Sequence, residues 1–268
     1  MNNFTKRLIF GGIYVAIIII ATWFNPKLFA LIFGVFMVLC IYEFQKMERI
    51  NSIFPYLLGI SINALIYLFQ FHFFNSNINI IGAIFILSLF IPFITSLFSE
   101  DKNNIAKLKH IFLTFVYIVI PFSLLQIIPF LNDEKYNNQI ILGIFILIWI
   151  NDTFAYLVGR QFGKRKLFER ISPKKTIEGF IGGFIFSLIG GFLISLYFTN
   201  LQPVHWIAIA MIASVFGTIG DLIESMFKRQ AGIKDSSNLI PGHGGFLDRL
   251  DSVIFATPFI FIYLILFI

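Results

Sequence analysis

The chain has 268 residues, of which 58% are hydrophobic and only 13% charged, with a net charge of +6 and a mean hydropathy of +0.87. Soluble domains carry roughly 25% charged residues, so these figures exclude a water-soluble globule and point to an integral membrane protein. A single cysteine excludes a disulfide within the chain and leaves the redox compartment undetermined; Cys40 reads as a small core or lipid-facing residue.

A helix that crosses a bilayer needs about 20 apolar residues. In chain order such segments fall at 8–24, 27–45, 53–73, 79–98, 110–131, 139–158, 177–198, 204–224 and 252–268, which predicts about nine transmembrane helices. Backbone polar groups have to be satisfied internally in lipid, and the alternating strands of a membrane barrel are absent. The expected fold is therefore all-α, a polytopic integral membrane protein. The first span has no small-x-small cleavage site before Asn25-Pro26 and reads as a retained anchor. Trp23, Trp149 and the pair His205-Trp206 are expected in the aromatic belts, with His72 and His110 at span edges.

Orientation follows from the distribution of Lys and Arg. With the N-terminus in the cytoplasm, the inner segments hold Lys6 and Arg7, Lys46 and Arg49, and Lys102, Lys107 and Lys109. They also hold Arg160, Lys164, Arg165, Lys166, Arg170, Lys174 and Lys175, and then Lys228, Arg229, Lys234 and Arg249. Only Lys27 and Lys135 remain outside, out of 20 basic residues in all. This bias predicts an N-in, C-out arrangement in the cytoplasmic (inner) membrane, with most of the positive charge facing the anionic inner leaflet. Residues 1–138 form an N-terminal transmembrane region of five helices with chemically plain loops. Residues 139–268 hold nearly every polar feature and form the expected catalytic region, with cytoplasmic loops at 159–176 and 225–251. There is no sequence repeat, no low-complexity linker and no nucleic-acid-binding motif, so no nucleic acid partner is expected.

Three polar clusters lie on the predicted inner side. The first is Asn151-Asp152-Thr153, which runs into Tyr156 and Gly159-Arg160; an aspartate within a span is costly unless paired or hydrated. The second is Ser172-Pro173-Lys174-Lys175-Thr176-Ile177-Glu178-Gly179. Ser172 before Pro173 reads as a helix N-cap, and a helix N-terminus with two lysines beside it is an anion site. Beyond it, Gly179, Gly183, Ser187 and Gly191 recur every fourth residue and allow another helix to approach closely.

The third cluster runs from Asp221 to Asp251. Asp221, Glu224, Ser225 and Lys228 fall at i, i+3, i+4 and i+7 and share one helix face. Asp248, Asp251 and Ser252 repeat that spacing at the start of the last span. The loop between them carries Arg229, Lys234, Asp235 and the turn Gly242-His243-Gly244-Gly245. Such a loop beside a membrane suits a phosphorylated ligand and a divalent metal: bases and glycine N–H groups for phosphate oxygens, carboxylates for the cation. His243 reads more simply as a hydrogen-bonding turn residue than as a base.

At this point a resemblance becomes specific. The run Ser225-x-x-Lys228-Arg229-x(4)-Lys234-Asp235-x(4)-Ile240-Pro241-x-His243-Gly244-Gly245-x-x-Asp248-Arg249-x-Asp251 resembles the signature of bacterial phosphatidate cytidylyltransferases, the CDP-diacylglycerol synthases. Asn151-Asp152-x-x-Ala155-Tyr156-x-x-Gly159 and Ser172-Pro173-Lys174-Lys175-Thr176-x-Glu178-Gly179 are similar to further elements of that family. The resemblance covers the whole chain by architecture and residues 150–252 by motif.

The resemblance implies transfer of CMP from CTP to phosphatidate, giving CDP-diacylglycerol and pyrophosphate on the cytoplasmic side of the bilayer. It implies Mg²⁺, with room for a second cation. Asp221 and Asp248 would hold the metal, with Asp152, Glu224 and Asp251 behind them. Lys228, Arg229, Lys234 and Arg249 would clamp phosphates, and Asp251 would complete the reacting centre. Ser172, Lys174, Lys175, Ser225, His243, Gly244 and Gly245 would contact substrate. Pairing into a homodimer stays open. So do two rival readings, a CTP transferase acting on another lipid phosphate or a polyprenol, and a secondary transporter for an anion. The transporter reading calls for polar residues at mid-membrane in two matching halves, whereas here they gather at one face of one half.

Overall fold

The computed structural model of the protein describes residues 3–70, 91–92, 94, 104–131, 136–242 and 244–268. Within these the regular structure is helical except for one short hairpin. The helices are α1 (Asn3–Phe24), α2 (Pro26–Glu48), α3 (Phe54–Gln70), α4 (Asn104–Thr114), α5 (Ile120–Ile127), α6 (Asn138–Phe162), α7 (Ile177–Ser195), α8 (Pro203–Gln230) and α9 (Leu247–Phe267). Among the described residues, six stretches are long and apolar enough to cross a membrane, the run through α4 and α5 counting as one, and α1 and α3 contain shorter apolar helices. The protein is an all-α polytopic membrane protein, as its hydropathy predicts. The expected span at 79–98 lies almost wholly outside the described residues, as does His72.

Local sequence explains the element boundaries. Asn25 caps α2 by accepting the Lys27 N–H at 2.8 Å, and Pro26 follows at the first helical position, where its missing N–H costs nothing. Between α4 and α5 the helix widens into a π-turn, Phe115–Val119, closed by the Ile120 N–H on the Phe115 carbonyl. Pro121 follows at once, and the wide turn absorbs a residue that has no N–H to give.

One expected boundary is corrected. Ser172-Pro173 does not start a helix; Ser172–Thr176 is strand β2, antiparallel to β1 (Lys166–Phe168), with Phe168 opposite Ser172 and Lys166 opposite Thr176. A residue before proline favours extended backbone, and an edge strand tolerates the missing N–H. The N-cap is Thr176, whose hydroxyl accepts the Gly179 N–H at 3.1 Å. Lys174 and Lys175 therefore sit on a strand that leads into α7, not on its first turn.

Two aromatic expectations are also corrected. Trp206 is fully buried rather than in a surface belt. Its indole N–H donates to the Phe198 carbonyl at 3.0 Å, and its ring occupies the space a side chain at Gly143 would need. His110 is buried and stacked on Phe44, with ring centroids 5.5 Å apart. Both polar groups ride on large flat rings that fill interior volume, and position near a span end does not reveal that.

The core is built on aromatic side chains of α2, with Phe33 packed against Phe29, Phe36 and Phe145 of α6. Exposed apolar residues such as Ile13, Leu31 and Phe192 face outward, as a lipid-bathed surface requires. The small-residue stripe of α7 packs as expected. A side chain at Gly179 would meet the Ala155 carbonyl, one at Gly183 the Asn151 carbonyl, and one at Gly191 the Trp206 carbonyl. Between these, Ser187 Oγ donates to the Leu147 carbonyl at 3.4 Å. The stripe thus locks α7 to α6 and then to α8. On α8, Gly220 lies where a Cβ would stand 2.6 Å from the Asp251 carbonyl. That closeness brings α9 against α8 and sets Asp221 beside Asp251.

Candidate active site

A cavity of about 710 Å³ opens among α1, α6, α7, α8 and α9 and the strand β2. Its charged side chains come from five separate segments: Asp152 and Arg160 from α6, Lys174 and Lys175 from β2, Asp221 and Lys228 from α8, Asp235 from the loop that follows α8, and Asp248, Arg249 and Asp251 from α9. Tyr14 and Val15 of α1 and Trp149 and Phe180 give it an apolar side. The same space thus offers charge for phosphates and hydrocarbon for lipid.

The charged groups are interlocked. Lys175 Nζ lies 2.5 Å from Asp221 Oδ2. Ser225, one turn on, donates to Asp221 Oδ1 at 3.3 Å. Lys228 is buried between two carboxylates, forming ion pairs with Glu224 one turn back and with Asp248 Oδ1 at 2.6 Å. Removing one member of such a buried set leaves uncompensated charge, a loss of about 3–5 kcal/mol. The other oxygen of Asp248 is filled by the loop: it accepts the Gly245 N–H at 2.7 Å, the Ser236 N–H at 2.9 Å and the Ser236 hydroxyl at 2.9 Å.

Oxygen atoms of Asp221, Glu224 and Asp251 lie within 4.8 Å of one another. Glu224 is fully buried, and its Oε1 has no hydrogen-bond partner among the described residues. Three carboxylates this close in apolar surroundings repel, and a hard cation with oxygen ligands relieves that repulsion. The donor set fits Mg²⁺.

Of the site residues expected from sequence, Asp152, Lys174, Lys175, Asp221, Lys228, Asp248, Arg249 and Asp251 are brought together around the cavity. Glu224 and Ser225 sit directly behind Asp221 and Lys228. Others are directed elsewhere. Arg229 donates to the carbonyls of Ile171 and Ile233, at 3.4 and 3.1 Å, and so braces the hairpin and the loop. Ser172 is engaged in the hairpin, and Lys234 is exposed. Gly242 and Gly244 have φ of 80° and 85°, the left-handed backbone that favours glycine. The Gly245 N–H, expected to point at a phosphate, is spent on Asp248. His243 lies outside the described residues.

Sequence reasoning missed two contributors from the N-terminal region. The Tyr14 hydroxyl donates to the Arg249 carbonyl at 3.2 Å. Glu43 of α2 is fully buried and receives four hydrogen bonds from the loop and the start of α9. An acid inside an apolar span was itself the available signal, since such a group is costly without partners. Arg160 also lines the cavity beside residues already singled out.

Comparison with known proteins supplies the family. A model of the cytidylyltransferase family matches residues 5–267. The chain belongs to that family. Among its relatives is a phosphatidate cytidylyltransferase of Bacillus subtilis, 32% identical over 98% of this chain and 98% of the relative. Another of the same name from Haemophilus influenzae is 33% identical over 95% of this chain and 96% of its own length. One from Staphylococcus aureus is 49% identical over 51% of this chain and 53% of the relative. The protein is therefore a membrane-embedded nucleotidyltransferase, and the cavity that gathers its acidic and basic side chains is the candidate active site of this cytidylyltransferase.

Proposed function

We propose that this enzyme transfers the cytidylyl group of CTP to phosphatidate, giving CDP-diacylglycerol and pyrophosphate. The observation that carries this reading is the cavity itself, in which bases and carboxylates from five segments share one space with an apolar wall. Relatives matched over nearly their full length, and named for this reaction, support it.

In this reaction a phosphate oxygen of the lipid attacks the α-phosphorus of CTP, a new P–O bond forms, and the bond from that phosphorus to the bridging oxygen of the leaving pyrophosphate breaks. The attacking oxygen is already an anion at neutral pH, so no strong general base is required. The barrier is electrostatic. Two unit negative charges about 4 Å apart repel by about 4 kcal/mol at an effective dielectric near 20, and a lipid phosphate meeting a triphosphate brings several such pairs. Lys228 and Arg249 on one side, and Lys174 and Lys175 on the other, would hold the phosphates and offset that charge. Lys175 would exchange its contact with Asp221 for a phosphate when substrate enters. Asp221, Glu224 and Asp251, whose oxygens converge, would hold Mg²⁺, with Asp248, its two oxygens engaged by Lys228 and the loop, behind them. The bound ion would neutralise phosphate charge and keep attacking and leaving oxygens in line. Asp152 would complete the acidic wall.

The distribution of basic residues supports an N-in, C-out chain in the cytoplasmic membrane, with the cavity opening to the side where CTP is found. Catalysis then belongs to residues 139–268, held by residues 1–138. Acceptor choice is tested by incubating the purified protein with CTP, Mg²⁺ and either phosphatidate or a polyprenyl phosphate, and identifying the lipid product by mass. A CDP-diacylglycerol mass with phosphatidate is expected. Product formed only with the polyprenyl acceptor would replace the proposed substrate.

A further inference from the structure

We infer that Glu43, far away in the sequence in α2, is a positioning residue for this reaction: it fixes Ser236 and Ser237 of the loop, the start of α9 and, through Ser236, the carboxylate of Asp248. The inference rests on the cytidylyl transfer proposed above.

Every partner of Glu43 is a donor. The Ser237 hydroxyl donates to Oε1 at 2.6 Å and the Phe246 N–H at 3.0 Å. The Ser236 hydroxyl donates to Oε2 at 3.0 Å and the Leu247 N–H at 2.8 Å. Phe246 and Leu247 open α9, and the first N–H groups of a helix have no partner within it. The N-cap residue, Phe246, makes no side-chain cap. A carboxylate from α2 caps this end instead, where the helix dipole also favours negative charge.

The same contacts continue into the cavity. Ser236 donates to Asp248 Oδ2 by both its N–H and its hydroxyl, and Asp248 Oδ1 holds Lys228. A connected path therefore runs Glu43, Ser236, Asp248, Lys228. A Cβ at Gly245 would fall on both the Ser236 hydroxyl and the Glu43 carboxylate, so the packing has no slack. The side chain of Gln45, two residues on and also buried, bonds Ser52 and has no other partner among the described residues, so it lies off this path.

The test compares full-length wild type with Glu43→Gln, Ser236→Ala, the double variant and Gln45→Ala. Gln keeps the volume of Glu but places an NH₂ donor among four donors. Glu43→Gln should speed hydrogen exchange at the Phe246 and Leu247 amides, in a readout that needs no substrate; Gln45→Ala should not. Turnover in Glu43→Gln should fall about 10-fold or more, and the Mg²⁺ concentration for half-maximal rate should rise several-fold. A loss of folded fraction alone would leave that concentration unmoved. Ser236→Ala, which spares the α9 cap, should shift the Mg²⁺ requirement in the same direction, and the double variant should add little further. Unchanged exchange at Phe246 and Leu247, an unmoved Mg²⁺ requirement, or an equal effect of Gln45→Ala would overturn the role. Absence of CMP transfer in wild type would instead overturn the reaction proposed above while leaving the exchange result to stand by itself.

Discussion

At the scale of single residues, the site is defined by charges that cannot be changed independently. Asp221 belongs to both the acidic cluster and the contact with Lys175. Asp221→Asn keeps the size and one carbonyl oxygen but loses the charge that would hold Mg²⁺. Turnover is expected to fall by about 10²-fold or more, on the order of 3 kcal/mol in the barrier, with membrane insertion unchanged. Near-normal Mg²⁺-dependent turnover in that variant would remove Asp221 from the metal site. Lys228 gives a different signature, because it neutralises Glu224 and Asp248 together. Lys228→Met should lower stability by about 3 kcal/mol as well as abolish turnover, read from a melting curve in detergent; an unshifted transition would contradict the pairing. These residues were legible in the sequence because their spacing announces a shared helix face. Glu43 was not, because its four donors come from a segment about two hundred positions away and only folding brings them to it. Arg229 shows how folding adds what charge alone does not: its Nε and one Nη also donate to two carbonyls.

At the scale of elements, helices were readable from apolar runs, since a membrane span leaves the backbone no alternative. The hairpin was not, because Ser172-Pro173 fits a helix start and an edge strand equally well, and pairing with Lys166–Phe168 decides between them. The strand still delivers Lys174 and Lys175 to the cavity. Lys174→Gln should therefore weaken substrate use far more than Lys46→Gln, which changes an exposed residue at the end of α2; equal KM values for CTP would reduce these lysines to topology signals. The α7 stripe makes a separate claim. Gly183→Val would push a side chain into the Asn151 carbonyl, separating α6 from α7 and with them Asp152 from the strand. A melting temperature several degrees lower is expected, in line with overpacking costs of about 1–3 kcal/mol, and an unchanged value would mean the two helices are less tightly apposed than described.

At the scale of the whole molecule, the proposed function has an N-terminal region that supplies support and a C-terminal region that supplies charge. Tyr14 and Glu43 show how the first reaches the second: both grip the start of α9, where Asp248, Arg249 and Asp251 leave the helix for the cavity. The basic bias predicts that a cysteine placed at 165 is labelled only from the cytoplasm and one at 268 only from outside; the reverse pattern would invert the proposed orientation. The central claim is the transfer itself, and the position of a label tests it most directly. Purified protein with phosphatidate and Mg²⁺ should move radioactivity into the organic phase from CTP labelled at the α-phosphate, leave it in aqueous pyrophosphate from CTP labelled at the γ-phosphate, and do neither with a chelator present. Lipid labelled from the γ-position, or no lipid label from the α-position with folded protein, would contradict the account.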